Sequence, residues 1–186
     1  MLWFGPLTNS WASDWADELH RIRWFAADAG FDAELTRRFA GLPEQLVREP
    51  RRTDSPVREQ MSAVLALDQL PRHLYRGTSR AFAFDAAARD RAADIINTGQ
   101  DLTLTIDERA FIYMPFLHSE RLEDQIRSVQ LFSALRDQTP RGFRHLSGAF
   151  LRSAHQHHDL IKRYGRFPHR EALQEPASVA QSSPAK

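Results

Sequence analysis

From Phe31 to Tyr164 the apolar residues of this chain recur at the three- and four-residue spacing of helices. No stretch sustains the period-two alternation that a half-buried strand needs. A chain patterned this way can bury its apolar surface only by packing helix on helix, so the expected fold class is all-α. The punctuation sets the segments. Phe31, Leu35, Phe39 and Leu42 form a stripe broken by Gly41-Leu42-Pro43. Ser55 followed by Pro56 has the form of an N-cap and first helical position, and the helix it opens is expected to run to about Leu70, where Pro71 stops it. Thr78-Ser79 is expected to cap a helix that passes Ile95-Ile96 and ends at Gly99. Thr105 with Glu108 has the spacing of a capping box, and Pro115 is expected to interrupt the helix it starts. A long helix from about Ser119 to Arg136 carries Leu122, Ile126, Val129 and Phe132, and another from about Pro140 to Tyr164 is closed by Gly165. Residues 1–170 are thus expected to form a single helical domain, and 171–186, rich in Ala, Ser, Gln and Pro, a flexible C-terminal tail.

Composition narrows the function classes. Of 186 residues 42% are hydrophobic and 10% aromatic, which excludes a disordered chain. The 25 Lys and Arg against 24 Asp and Glu leave no broad field for nucleic acid or an anionic membrane, so neither is an expected partner and any anion recognition must be local. Apart from Lys162 and Lys186 every one of those cations is Arg, the residue suited to bidentate carboxylate or phosphate pairing. There is no Cys, hence no thiolate chemistry and no Cys-based metal site. No secretory pattern opens the chain, and the longest apolar run, Ala110 to Leu117, is too short for a bilayer, which makes the cytoplasm the expected location. Neither a Gly-rich phosphate loop nor a Gly-x-Ser-x-Gly elbow is present, and no cofactor is expected.

Several helices carry a polar residue where the apolar stripe should continue. Met61, Val64 and Leu65 lead to Asp68, with Arg72 four residues on. Asp85 and Arg89 stand four apart among Ala81, Ala88 and Ala92 and are expected to pair. Gln125 falls within Leu122, Ile126 and Val129, and His157 lies in line with Phe150, Ala154 and Ile161. A buried polar side chain is more often a satisfied packing element than a catalyst. Because each is costly to bury alone, Asp68, Arg72, Gln125 and His157 are expected to approach one another. Two helix ends add candidates: His118-Ser119-Glu120, and Arg166-Phe167-Pro168-His169-Arg170. His155, His158 and Asp159 have helical metal-ligand spacing that His118 or His169 could complete, but no established motif matches, a solvated histidine face explains them as well, and no metal is expected.

These residues assemble into a resemblance. Leu67-Asp68-Gln69-Leu70-Pro71-Arg72, the run from Tyr75 to Asp85, Tyr113-Met114-Pro115-Phe116-Leu117-His118-Ser119-Glu120 with Asp124-Gln125, and Gly165-Arg166-Phe167-Pro168-His169-Arg170 resemble the bacterial family known as domain of unknown function 924. Leu2-Trp3-Phe4-Gly5, Trp24-Phe25 and Phe31-Asp32 resemble its N-terminal pattern more loosely. The resemblance implies antiparallel helical hairpins in a tetratricopeptide-like superhelical architecture. It implies Asp68, Arg72, Asp85, His118, Glu120, Gln125, His157, Arg166 and His169 as motif positions and gives a role to none. After Arg170 this chain departs from the family's pattern.

Two functions follow as expectations. In the first, an Arg- and His-lined groove recognises a small anionic metabolite or a peptide carboxylate through Asp68, Arg72, His118, Glu120, Gln125, His157, Arg166 and His169. In the alternative the chain is a hydrolase-type enzyme with His118 or His157 as general base and Asp68 or Glu120 orienting it. Oligomeric state is left open by the sequence.

Overall fold

The structure is a computed structural model that describes Trp3 and residues 25–173. It is all-helical, and among the described residues there is no strand.

Helix α1 (Ala29–Phe39) starts where the Asp28 carboxylate accepts the Gly30 and Phe31 N–H groups, and it buries Phe31 and Leu35. Gly41, at φ +82°, makes the left-handed break before α2 (Leu42–Arg48). Helix α3 (Val57–Asp68) begins one residue later than the Ser55-Pro56 pattern indicates. The Ser55 hydroxyl donates to the Arg52 carbonyl, not to the helix N-terminus. Helix α3 ends at Asp68, and Pro71 lies in the first turn of α4 (Leu70–Leu74) instead of acting as a terminator. A first-turn proline gives up no helical hydrogen bond, so it opens a helix as readily as it closes one.

The Thr78 hydroxyl donates back to the Tyr75 carbonyl, and Ser79–Phe82 is a 3-10 turn, so α5 (Asp85–Asn97) starts later than Thr78-Ser79 indicates. The Thr105–Glu108 capping box opens α6 (Ile106–Leu117) as expected. Pro115 does not interrupt it, since the helix continues to Leu117. Every residue of α6 from Asp107 to Leu117 is buried, as a helix at the centre of a bundle must be. Helices α3 and α5 pack on it, as do α7 (Leu122–Gln138) and α8 (Arg144–Tyr164). Gly165, at φ +72°, ends α8 and turns the chain into the short α9 (Pro168–Glu171). That turn returns the C-terminal segment to the His118 loop. Residues 174–186 of the expected tail lie outside the described residues. No helix of the described residues is long and apolar enough to cross a membrane.

Candidate functional site

The centre of the site is Asp68. The last residue of α3 continues the stripe of Met61 and Val64, so its side chain enters the core and is 0% exposed. Both carboxylate oxygens are engaged. His118 Nδ1 lies 2.7 Å from Oδ1, and the Gln69 amide donates to Oδ2 at 2.5 Å. Arg72 Nη1 stands 3.5 Å from Oδ1 and donates a hydrogen bond to the Asp68 carbonyl. Burial by itself would raise the Asp68 pKa. The charges of His118 and Arg72, with the hydrogen bonds from His118 and Gln69, outweigh it and hold the group at about 2. Asp68 is therefore an ionised acceptor at neutral pH. A neutral His118 must then carry its proton on Nδ1, which leaves Nε2 with a free lone pair and no partner in the described structure.

Asp85 is the second buried carboxylate, and its partners are not those that helical spacing indicates. Arg72 Nη2 donates to Oδ1 at 3.0 Å, and Arg170 Nη2 lies 3.0 Å from Oδ2. The second contact is an ion pair without hydrogen-bond alignment, because Arg170 Nη2 is directed at the His118 carbonyl at 2.9 Å. Arg89 instead pairs with Asp90 and Asp124. Burial raises the Asp85 pKa and the neighbouring Asp68 charge adds to that, against the pull of Arg72, His118 and Arg170.

Arg170 lies in the candidate run after Gly165 but is not among the residues expected to bind the ligand. Its guanidinium lies between two phenyl rings, 4.3 Å from the Phe82 centroid and 4.8 Å from that of Phe167. Its buried Nε has no hydrogen-bond partner. The available signal was its position in an acid-free cationic run beyond a helix-ending glycine. Phe167 is fixed in turn, its N–H donating to Glu120 Oε1 at 2.8 Å.

The other candidates fall around this core. His157 Nδ1–H donates to the Ser153 carbonyl at 2.8 Å, and the ring meets that of Phe167 edge-on at 5.2 Å. His169 stacks on Phe167 at 5.7 Å. Burial lowers the pKa of both, His157 in spite of its carbonyl partner and His169 with help from the Arg170 charge. Arg166 is exposed and paired with Glu171 at 2.7 Å. Gln125 makes no hydrogen bond to Asp68 but holds the backbone on either side of His118. Its amide donates to the Leu117 and Ser119 carbonyls at 2.7 and 2.6 Å, satisfying the end of α6. His155, His158 and Asp159 do not converge with His118 or His169, and among the described residues no group of three or more His, Asp or Glu side chains is placed to hold a metal ion. Beside Arg170 a cavity of about 250 Å³ is lined by Phe82, Phe167, Ser79, Glu120 and Arg166 among others.

A second histidine–carboxylate pair was missed in the sequence. Asp32 of α1 meets His73 Nδ1 at 2.7 Å and Arg76 at 2.7 and 3.0 Å, with Phe31 and Trp3 edge-on to the imidazole. The buried His73 has its pKa lowered by burial, more than Asp32 raises it, and this set pins α1 to α4.

Comparison with known proteins agrees with the fold. The model of the family described as bacterial protein of unknown function (DUF924) matches residues 1–181. A solved structure of a protein of unknown function from Agrobacterium tumefaciens is 34% identical, with a TM-score of 0.68 over 81% of this chain and 80% of that one. No curated protein matches.

Proposed function

We propose that this chain, which belongs to the bacterial family DUF924, binds a small ligand carrying a carboxylate or phosphate beside Arg170 and transfers a proton on it through His118. One observation carries the reading: a buried, ionised Asp68 holds His118 Nδ1 at 2.7 Å, while Nε2 has no partner among the described residues. That is the arrangement a general base requires, with the carboxylate fixing tautomer and ring orientation and stabilising the imidazolium once it forms. Among the described residues no serine, threonine or tyrosine hydroxyl bonds to His118, so the proton it takes would come from water or from the ligand, which fits a hydrolase-type reaction. Arg72 and Arg170 supply the cationic side, braced on Asp85 and Phe82.

Recognition without turnover is the second reading, and the partnerless Nε of Arg170 favours it. His118→Asn separates the two. An asparagine amide can replace Nδ1 toward Asp68 but has nothing in place of Nε2. With ester, amide and phosphoester panels, the wild type should turn over a substrate that the variant still binds, and the variant should be roughly 10²–10⁴-fold slower. A ligand that stabilises both proteins equally while neither turns it over would leave the binding reading standing.

A further inference from the structure

The contacts of His118, Asp68, Arg72, Asp85 and Arg170 close into a ring. His118 Nδ1 meets Asp68 Oδ1 at 2.7 Å. Arg72 bridges the two carboxylates, with Nη1 3.5 Å from Asp68 Oδ1 and Nη2 donating to Asp85 Oδ1 at 3.0 Å. Arg170 completes the circuit through one nitrogen, because Nη2 lies 3.0 Å from Asp85 Oδ2 and donates to the His118 carbonyl at 2.9 Å. No side chain of the ring is more than 20% accessible.

The fixed charges of the ring cancel, two carboxylates against two guanidiniums. His118 is the member whose charge changes near neutral pH, so its protonation places an unbalanced positive charge where solvent screens poorly. The groups around the ring do little to offset it. His157 of α8 and His169 of α9 have their pKa values lowered, chiefly by burial, and are uncharged in the neutral range, while Glu120 is exposed. The offset must come from within. Asp68 supplies it directly. Asp85 is not bonded to the imidazole, yet its two cations are the ones that flank His118, Arg72 sharing Asp68 with the ring and Arg170 holding the His118 carbonyl. Without the Asp85 charge, both guanidiniums would turn their full field on the imidazole. The coupling runs both ways, since the His118 charge pulls the Asp85 pKa down against the burial that raises it.

We propose that Asp85 is a positioning residue for His118, setting through Arg72 and Arg170 how tightly the imidazole holds its proton. The proposal rests on the reading of His118 as a general base, and it adds a second carboxylate, on α5, that governs the strength of that base.

The test is an NMR titration of the full chain followed at the His118 ring, with His145 in the first turn of α8 as the control. In Asp85→Asn the His118 midpoint should fall by about half a pH unit or more, and that of His145 should stay in place. Arg170→Gln removes a cation while its amide can still donate to the His118 carbonyl, and it should move the midpoint upward. Disturbed packing alone has no reason to follow the sign of the charge removed. The unmutated chain gives a third measurement that does not depend on either variant folding. The carboxyl carbon of Asp85 should show an inflection at the His118 midpoint, because interacting groups titrate together. An unchanged His118 midpoint in Asp85→Asn, shifts of the same sign in the two variants, or an Asp85 signal without that inflection would each overturn the proposal. No substrate enters these measurements. Opposite shifts without turnover in the His118→Asn comparison would retire the base and keep the charge coupling, and turnover with an unmoved midpoint would do the reverse.

Discussion

His118 Nδ1 and Asp68 Oδ1 lie 2.7 Å apart although 50 residues separate them in the chain. The contact joins the end of α3 to the residue that closes α6. It exists because Asp68 extends an apolar stripe inward and α6 delivers its C-cap to the same point. With Asp68 held at about 2, the carboxylate is ionised throughout the neutral range, and the ring nitrogen that faces it carries a proton. In Asp68→Asn the side chain stays isosteric but loses the charge, and its amide can turn either an acceptor or a donor to the ring. The expected result is a mixture of His118 tautomers in nitrogen-detected NMR, where the wild type shows one. A single unchanged tautomer in the variant would mean that Asp68 does not set the ring's protonation.

The same pair makes a prediction in pH. The folded pKa of Asp68, about 2, lies below the ordinary 3.8. Its contribution to stability is therefore present above about pH 4 and is lost as the pH falls toward 2. The difference corresponds to roughly 2 kcal/mol. Asp85 works in the opposite sense, because its raised pKa withdraws stability as the pH climbs past the ordinary carboxylate value. Urea midpoints of the wild type should fall on acidification from about pH 4, and those of Asp68→Asn should fall less steeply. Parallel acid limbs would show that Asp68 is not held low in the native state.

Much of the fold was legible because its signals are local. The Thr105–Glu108 capping box and the left-handed positions at Gly99 and Gly165 each depend on a few adjacent residues, and the structure places them as read. The errors arose where a local signal has two outcomes. Pro71 opens a helix by the same loss of an N–H that would end one, and the Ser55 and Thr78 hydroxyls find a carbonyl three residues back instead of a helix N-terminus. Within the candidate site, the inward placement of Asp68 and its link to Arg72 could be read from helical spacing. The partners of Asp85 could not. Arg72 reaches it only after the chain reverses at Gly77, φ +79°, and Arg170 comes from the far end of the chain. No periodicity encodes either contact. The Asp32–His73–Arg76 set was illegible for the same reason.

Away from the site, Tyr113 joins two buried charges. Its hydroxyl donates to Asp101 Oδ2 at 2.6 Å and accepts from Arg109 Nη2 at 3.1 Å, while Arg109 Nη1 reaches the Gln138 side chain at 2.7 Å. Burial, aided by the bond to Asp101, pushes the phenol up to about 12. Ultraviolet titration of the folded protein should show one of its three tyrosines ionising near that value, and Tyr113→Phe should remove that step. The variant leaves Asp101 and Arg109 short of a partner and should lose about 1–3 kcal/mol in urea unfolding. Full retention of stability would mean that Asp101 and Arg109 re-pair directly.

Gln125 has a structural task that can be measured apart from any ligand. Its amide holds the Leu117 and Ser119 carbonyls at the end of α6, the segment that presents His118. Gln125→Leu keeps the volume but leaves those carbonyls buried and unpaired, which should cost about 1–3 kcal/mol per orphaned group. Gln125→Glu should be worse at neutral pH, because a carboxylate would face two carbonyl oxygens, and it should recover partly on acidification as the group becomes a donor. Equal stability of the glutamate variant at low and neutral pH would rule out this capping role.

Arg170 is the residue on which binding and folding are most closely joined. It neutralises one side of Asp85, donates to the His118 carbonyl and fills the space between Phe82 and Phe167. Arg170→Ala removes all three contacts and leaves Asp85 with Arg72 as its one ion-pair partner among the described residues, so a loss of up to about 3–5 kcal/mol is expected from a buried charge left half compensated. Arg170→Lys restores the charge but not the planar group, and an ammonium cannot stack flat between two rings while reaching both Asp85 and the His118 carbonyl. The lysine variant should therefore recover much of the stability and little of the ligand-induced rise in Tm. The double variant Arg170→Ala with Asp85→Asn removes the orphaned carboxylate as well, and it should be more stable than Arg170→Ala alone. If Asp85→Asn failed to rescue it, the cost of losing Arg170 would lie in the aromatic sandwich and not in the charge it balances.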